Sequence, residues 1–127
     1  MVIDGFANDV FEGIPSKVRI GCYWWDIVVV SDREADVTRS WGTTQPEHFV
    51  ITIRSSITNP SVLANTFVHE ILHAIHYAYG LLTEQNESPD EEAFTTLGAN
   101  GILAFWQDNP YAVEWLSKLV SKSMETK

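Results

Sequence analysis

At 127 residues, 45% hydrophobic and 12% aromatic, the chain holds enough material for one compact core and too little for two ordinary domains, so residues 1–127 read as a single domain. Seventeen acidic against eight basic side chains give a formal charge of −9. This excludes direct nucleic-acid binding as the main task, because a phosphate-binding surface must be basic. One cysteine, Cys22, excludes an internal disulfide and a cysteine zinc ribbon, and the longest aliphatic run, Ile27 to Val30, is far short of a membrane span.

In chain order, the first dozen residues are expected to be loosely held. Lys17 to Tyr23 and Trp24 to Val30 are rich in β-branched and aromatic residues and read as an antiparallel pair of strands, with Cys22 a small core or strand residue. A polar segment, Ser31 to Trp41, follows. Phe49 to Arg54 alternates apolar and mixed residues, which suits a strand with Phe49, Ile51 and Ile53 turned to the core. Asn59 followed by Pro60 signals a helix start and Gly80 its stop, with apolar residues between them (Leu63, Phe67, Ile71, Ile75 among them) at helical spacing. Two more helices are expected, about Ser88 to Gln107 and, opened by Asn109-Pro110, on to about Lys122. The fold class is therefore α+β: a small antiparallel or mixed N-terminal sheet, then three helices. The five tryptophans read as core or rim residues.

The first of these helices carries His69-Glu70-Ile71-Leu72-His73. Residues i and i+4 share a helix face, so both imidazoles can reach one metal ion while Glu70 stands beside it, placed to take a proton from a metal-activated water. Taking His69 as zero, His73 lies about 40°, Tyr77 about 80°, Glu70 about 100° and His76 about −20° round the axis. His76 is also about 10 Å along the axis from His69, so one helix does not give three ligands to one ion. The acidic cluster Asp90, Glu91 and Glu92 is the expected source of the third. Ser88 to Glu91 fits a capping box in which Glu91 reaches back to the Ser88 amide, which leaves Glu92 favoured as ligand and Glu91 the alternative.

His69 to His73 matches the HExxH signature of zinc metallopeptidases, and Glu92-Ala93-Phe94-Thr95-Thr96 on a following helix resembles the gluzincin pattern, in which a downstream glutamate completes the site. The strand before the motif helix and the small size further resemble the compact phage and prokaryotic zincins of the SprT-like and ImmA/IrrE kinds. The resemblance covers about residues 49 to 107. It implies a minimal zincin-like fold, Zn2+ held by His69, His73 and Glu92, Glu70 as general base, and a strand at Phe49 to Arg54 that presents an edge to an extended peptide. Three departures stand out: the cysteine ribbon of many SprT-like proteins and the DNA-binding module that accompanies many ImmA/IrrE proteins are not matched here, and Thr96 occupies the place where thermolysin-like zincins carry an aspartate.

The function expected is peptide-bond hydrolysis by a zinc-dependent peptidase acting on a protein or peptide in the cytoplasm, with no membrane partner and no direct nucleic-acid partner. A donor to the developing oxyanion is sought among His76, Tyr77, Tyr79, His48 and Arg54. Two other readings fit the same residues. One is a non-catalytic protein-binding module on a zincin scaffold. The other is a domain whose zinc is purely structural. Substrate, cleavage preference and oligomeric state are not legible at this level.

Overall fold

The computed structural model describes residues 9–32, 40–80 and 91–125, with residues 91–94 described as helix backbone only. Among the described residues it is an α+β fold in which one mixed four-stranded sheet carries a layer of three α-helices. The strands are β1 (Lys17–Ile20), β2 (Tyr23–Val30), β3 (Gly42–Gln45) and β4 (Val50–Arg54); the helices are α1 (Pro60–Ala78), α2 (Glu91–Asp108) and α3 (Pro110–Glu125).

β1 and β2 form the expected antiparallel hairpin, with Ile20 opposite Tyr23. The turn is Gly21-Cys22, and Gly21 sits at φ 64°, a conformation that favours glycine and tightens the link to two residues. Cys22 is therefore an exposed turn residue and not the core or strand residue expected from composition. β2 pairs in parallel with β4, and β4 pairs antiparallel with β3, giving the order β1-β2-β4-β3.

β4 is thus an interior strand with partners on both sides. The expectation that Phe49 to Arg54 offers an edge is overturned, because that edge is occupied by β3. Phe49 itself lies just before the strand at φ 54°, in the turn that joins β3 to β4. Its ring stacks on Tyr23, with centroids 4.5 Å apart, and meets Trp25 edge-on at 5.3 Å.

The core is assembled as binary patterning requires. Val18 and Ile20 of β1, Trp25, Ile27 and Val29 of β2, and Ile51 and Ile53 of β4 meet Leu63, Phe67, Ile71 and Ile75 of α1 and Trp115 and Leu119 of α3. The N-terminal segment is more firmly held than expected from about residue 9. Phe11 is buried, Trp115 Nε1 donates to Glu12 O (3.1 Å) and the Tyr111 hydroxyl donates to Gly13 O (2.6 Å). Trp25 and Trp115 are core residues, whereas Trp24, Trp41 and Trp106 are about half exposed. No described helix is long and apolar enough to cross a membrane.

α1 begins and ends where its signals lie. Asn59 Oδ1 accepts from Ser61 N (2.8 Å), Pro60 is the first helical residue and Gly80 follows the end at φ 73°. α2 is packed tightly on α1: a Cβ at Gly101 would lie 2.4 Å from Ile75 Cγ2. The proposed cap of α2 at Ser88 lies outside the described residues.

The outer edge of β1 is closed by Asn109, at the corner between α2 and α3. Its Oδ1 accepts from Arg19 N (2.7 Å) and its amide donates to Arg19 O (2.8 Å) and Phe105 O (3.0 Å). A side chain thus takes the place of a strand partner. Asn109→Ala is expected to cost about 2 kcal/mol, since it strands backbone groups that the fold keeps from water. Urea denaturation checks this, and a loss under about 0.5 kcal/mol would show that water replaces the bonds freely.

Candidate active site

α1 divides into two faces. Leu63, Phe67, Ile71, Ala74 and Ile75 are buried against the sheet and α3, which fixes the helix, and the other face carries His69 and His73 exposed to solvent. The two imidazoles approach edge to face, with centroids 4.7 Å apart, and their Nε2 atoms lie at hydrogen-bond distance, 3.1 Å. That separation is close to the roughly 3.3 Å that two imidazole nitrogens take around a tetrahedral zinc ion, so the pair fits such an ion as two of its ligands.

Glu70 lines the inner side of the groove that these histidines border and reaches β3. It is 5% exposed, and Thr44 Oγ1 on β3 donates to its Oε1 at 2.6 Å and lies 3.2 Å from its backbone carbonyl oxygen. The approach is close because β3 carries Gly42 beside it. A Cβ there would sit 3.0 Å from each of Glu70 Cγ, Thr66 Cγ2 and Thr52 O. Gly42 is therefore what lets the strand settle against the glutamate.

His69, Glu70 and His73 open onto a groove of about 480 Å³ whose other walls are Ser40, Gly42, Thr43, Thr44 and Pro46 from around β3 and Tyr77 from the end of α1. Trp41 O accepts from Arg54 N (2.8 Å), which places Trp41 opposite Arg54 as a hydrogen-bonded pair. By the alternation of an antiparallel ladder, the backbone groups of Gly42 and Thr44 then point away from β4. Ser40 Oγ donates to one of them, Gly42 O, at 2.7 Å. With β1 closed by Asn109, β3 supplies the sheet's open edge among the described residues.

Of the five candidate oxyanion donors, Tyr77 alone lines this groove, 46% exposed and edge-on to Trp25 at 6.2 Å. Tyr79 is half-buried and packs where α2 passes at Gly101. His48 lies exposed in the β3–β4 turn, and Arg54 is half-buried at the far end of β4. His76 is also half-buried. Burial pushes its imidazole pKa below the usual histidine value, and the charge of nearby His73 adds to the shift.

Glu91 and Glu92 are the first two residues of α2, but their side chains, like Asp90, lie outside the described residues. Among the described residues no third metal-ligating side chain joins His69 and His73. Thr96 is exposed. Thr44 and Gly42 carry almost no signal in the sequence. Gly-Thr-Thr-Gln carries no apolar alternation, and its only signal is a pair of β-branched residues ahead of Pro46.

No protein-family model, curated protein or solved structure matches the chain.

Proposed function

We propose that this protein is a zinc-dependent peptidase of the gluzincin kind, hydrolysing a peptide bond in an extended protein or peptide substrate, with His69, His73 and Glu92 as metal ligands and Glu70 as general base. The observation that carries the reading is the convergence of the two Nε2 atoms at 3.1 Å beside a glutamate held by the edge strand, in an open groove. Zinc, when bound, supplies a Lewis acid that polarises a carbonyl oxygen and lowers the pKa of a water molecule toward neutrality.

The chain's own residues do the rest. Thr44 engages Glu70 Oε1, which leaves the other carboxylate oxygen to accept a proton and later return it to the leaving amine. The outward backbone groups of Thr44 offer hydrogen bonds to a substrate lying along β3, a mode in which main-chain pairing gives affinity without demanding particular side chains. The Tyr77 hydroxyl is the groove's candidate donor to charge that develops on the substrate carbonyl. The exposed thiol of Cys22 suits a reducing compartment such as the cytoplasm.

One observation favours a second reading, a non-catalytic binding module. Glu70 already joins β3 to α1, so its place is accounted for by structure alone. Comparison of wild type with Glu70→Gln on a mixed library of fluorogenic peptides, both loaded with zinc, separates the two. Hydrolysis lost in the variant supports the peptidase, whereas no hydrolysis by wild type leaves the binding module.

A further inference from the structure

We infer that Thr44 is a positioning residue for the general base, and that through it the edge strand sets the orientation of Glu70. The inference rests on the peptidase reading and extends it from α1 to β3.

Three features of the strand lead there. Side chains on β3 alternate between faces. The hydroxyl of Thr43 meets that of Thr52 across the ladder at 2.5 Å, while Thr44 faces α1 and donates to Glu70 Oε1 at 2.6 Å. A short hydrogen bond from a half-buried hydroxyl to a carboxylate that is 5% exposed fixes the carboxylate plane and chooses which oxygen stays free. In addition, the Thr44 hydroxyl lies 3.2 Å from Glu70 O, so the contact registers the strand on the helix backbone as well as on the side chain.

The same residue stands on the substrate side. The ladder alternation turns the Thr44 backbone toward the groove, where an extended peptide would pair with it. Thr44 thus joins the strand that receives the peptide to the carboxylate that moves the proton, with one residue serving both. A carboxylate freed from this bond keeps its chemistry and loses its aim, and misplacement on that scale costs catalysis rather than binding.

The test compares wild type, Thr44→Val and Thr44→Ser, each loaded with zinc, on the fluorogenic peptide library. Val preserves shape and strand preference and lacks only the hydroxyl, so the fold is expected to survive, as checked by circular dichroism. The expected result is a fall in kcat of about 10- to 100-fold in Thr44→Val, with KM within about twofold of wild type, and recovery of most of kcat in Thr44→Ser. A second measurement needs no activity. In zinc-free protein, a double-mutant cycle of Thr44→Val and Glu70→Ala read by urea unfolding is expected to show a coupling of about threefold or more in the unfolding constant.

Wild-type kcat in Thr44→Val, or no rescue by Thr44→Ser, overturns the positioning role, as does additivity in the cycle. These outcomes are distinct from failure of the peptidase reading itself, which would show as equal hydrolysis by wild type and Glu70→Gln, or as none by wild type, and would remove this inference with it.

Discussion

Glu70→Gln is expected to lower peptide hydrolysis by about 10³-fold, equivalent to roughly 4 kcal/mol of transition-state stabilisation, while zinc content and unfolding midpoint stay at wild-type values. The substitution is chosen for its shape. A glutamine side-chain oxygen still accepts the Thr44 hydrogen bond, so the 2.6 Å contact to β3 has a replacement acceptor and the helix keeps its seat on the strand. What the amide lacks is a basic oxygen that takes a proton at neutral pH. A variant that retains metal and stability and loses turnover therefore isolates the proton transfer. Steady-state kinetics on the peptide library measure it, and residual activity above about a tenth of wild type would remove Glu70 from the role of base.

The second large effect is structural. Phe67→Ala is expected to destabilise the protein by about 4 kcal/mol. Phe67 is 1% exposed and meets Trp115 edge-on with ring centroids 5.0 Å apart, so the substitution opens a cavity at the joint between α1 and α3. It also removes an aromatic pair worth about 1 kcal/mol beyond its buried area. A domain whose whole stability is about 5–15 kcal/mol loses much of it at one site. The location matters because Phe67 belongs to the buried side of the helix whose other side presents His69 and His73. Urea denaturation reads the loss as a lower midpoint at unchanged slope, and a loss under about 1 kcal/mol would show that the joint collapses to fill the space.

Legibility followed the physical strength of each local signal. The motif helix was readable to within one residue, because Asn59 and Pro60 act through backbone groups in their own turn and Gly80 through its own φ. The two histidines converge as the i, i+4 rule requires. The β1–β2 pairing was legible too, but its turn was displaced. Gly21 falls within a strand-like stretch of sequence but supplies the positive φ of the hairpin, so Cys22 lies at the surface and not in the core.

β3 was invisible for a reason tied to its task. Its helix-facing positions hold Gly42 and Thr44, which let a strand approach and bind a glutamate, so the apolar alternation that marks a strand is missing. The edge role that the zincin resemblance implies for β4 falls instead to β3, which pairs along the outer side of β4. The parallel pairing of β2 with β4 depends on a partner distant in sequence and leaves no local trace. Phe11 is likewise hidden from a sequence reading, since a lone aromatic near the start has no periodicity to reveal the contacts that hold it.

The proposed site stands or falls on zinc bound between α1 and α2. Elemental mass spectrometry on protein purified without a metal-affinity tag measures this, with wild type compared against His73→Ala, Glu92→Ala and Glu91→Ala. About one zinc per chain is expected in wild type and in Glu91→Ala, and loss of that zinc in His73→Ala and Glu92→Ala. Wild-type protein that contains no zinc, even after zinc is supplied and excess removed, would contradict the proposed site and return His69 and His73 to an ordinary solvated helix face.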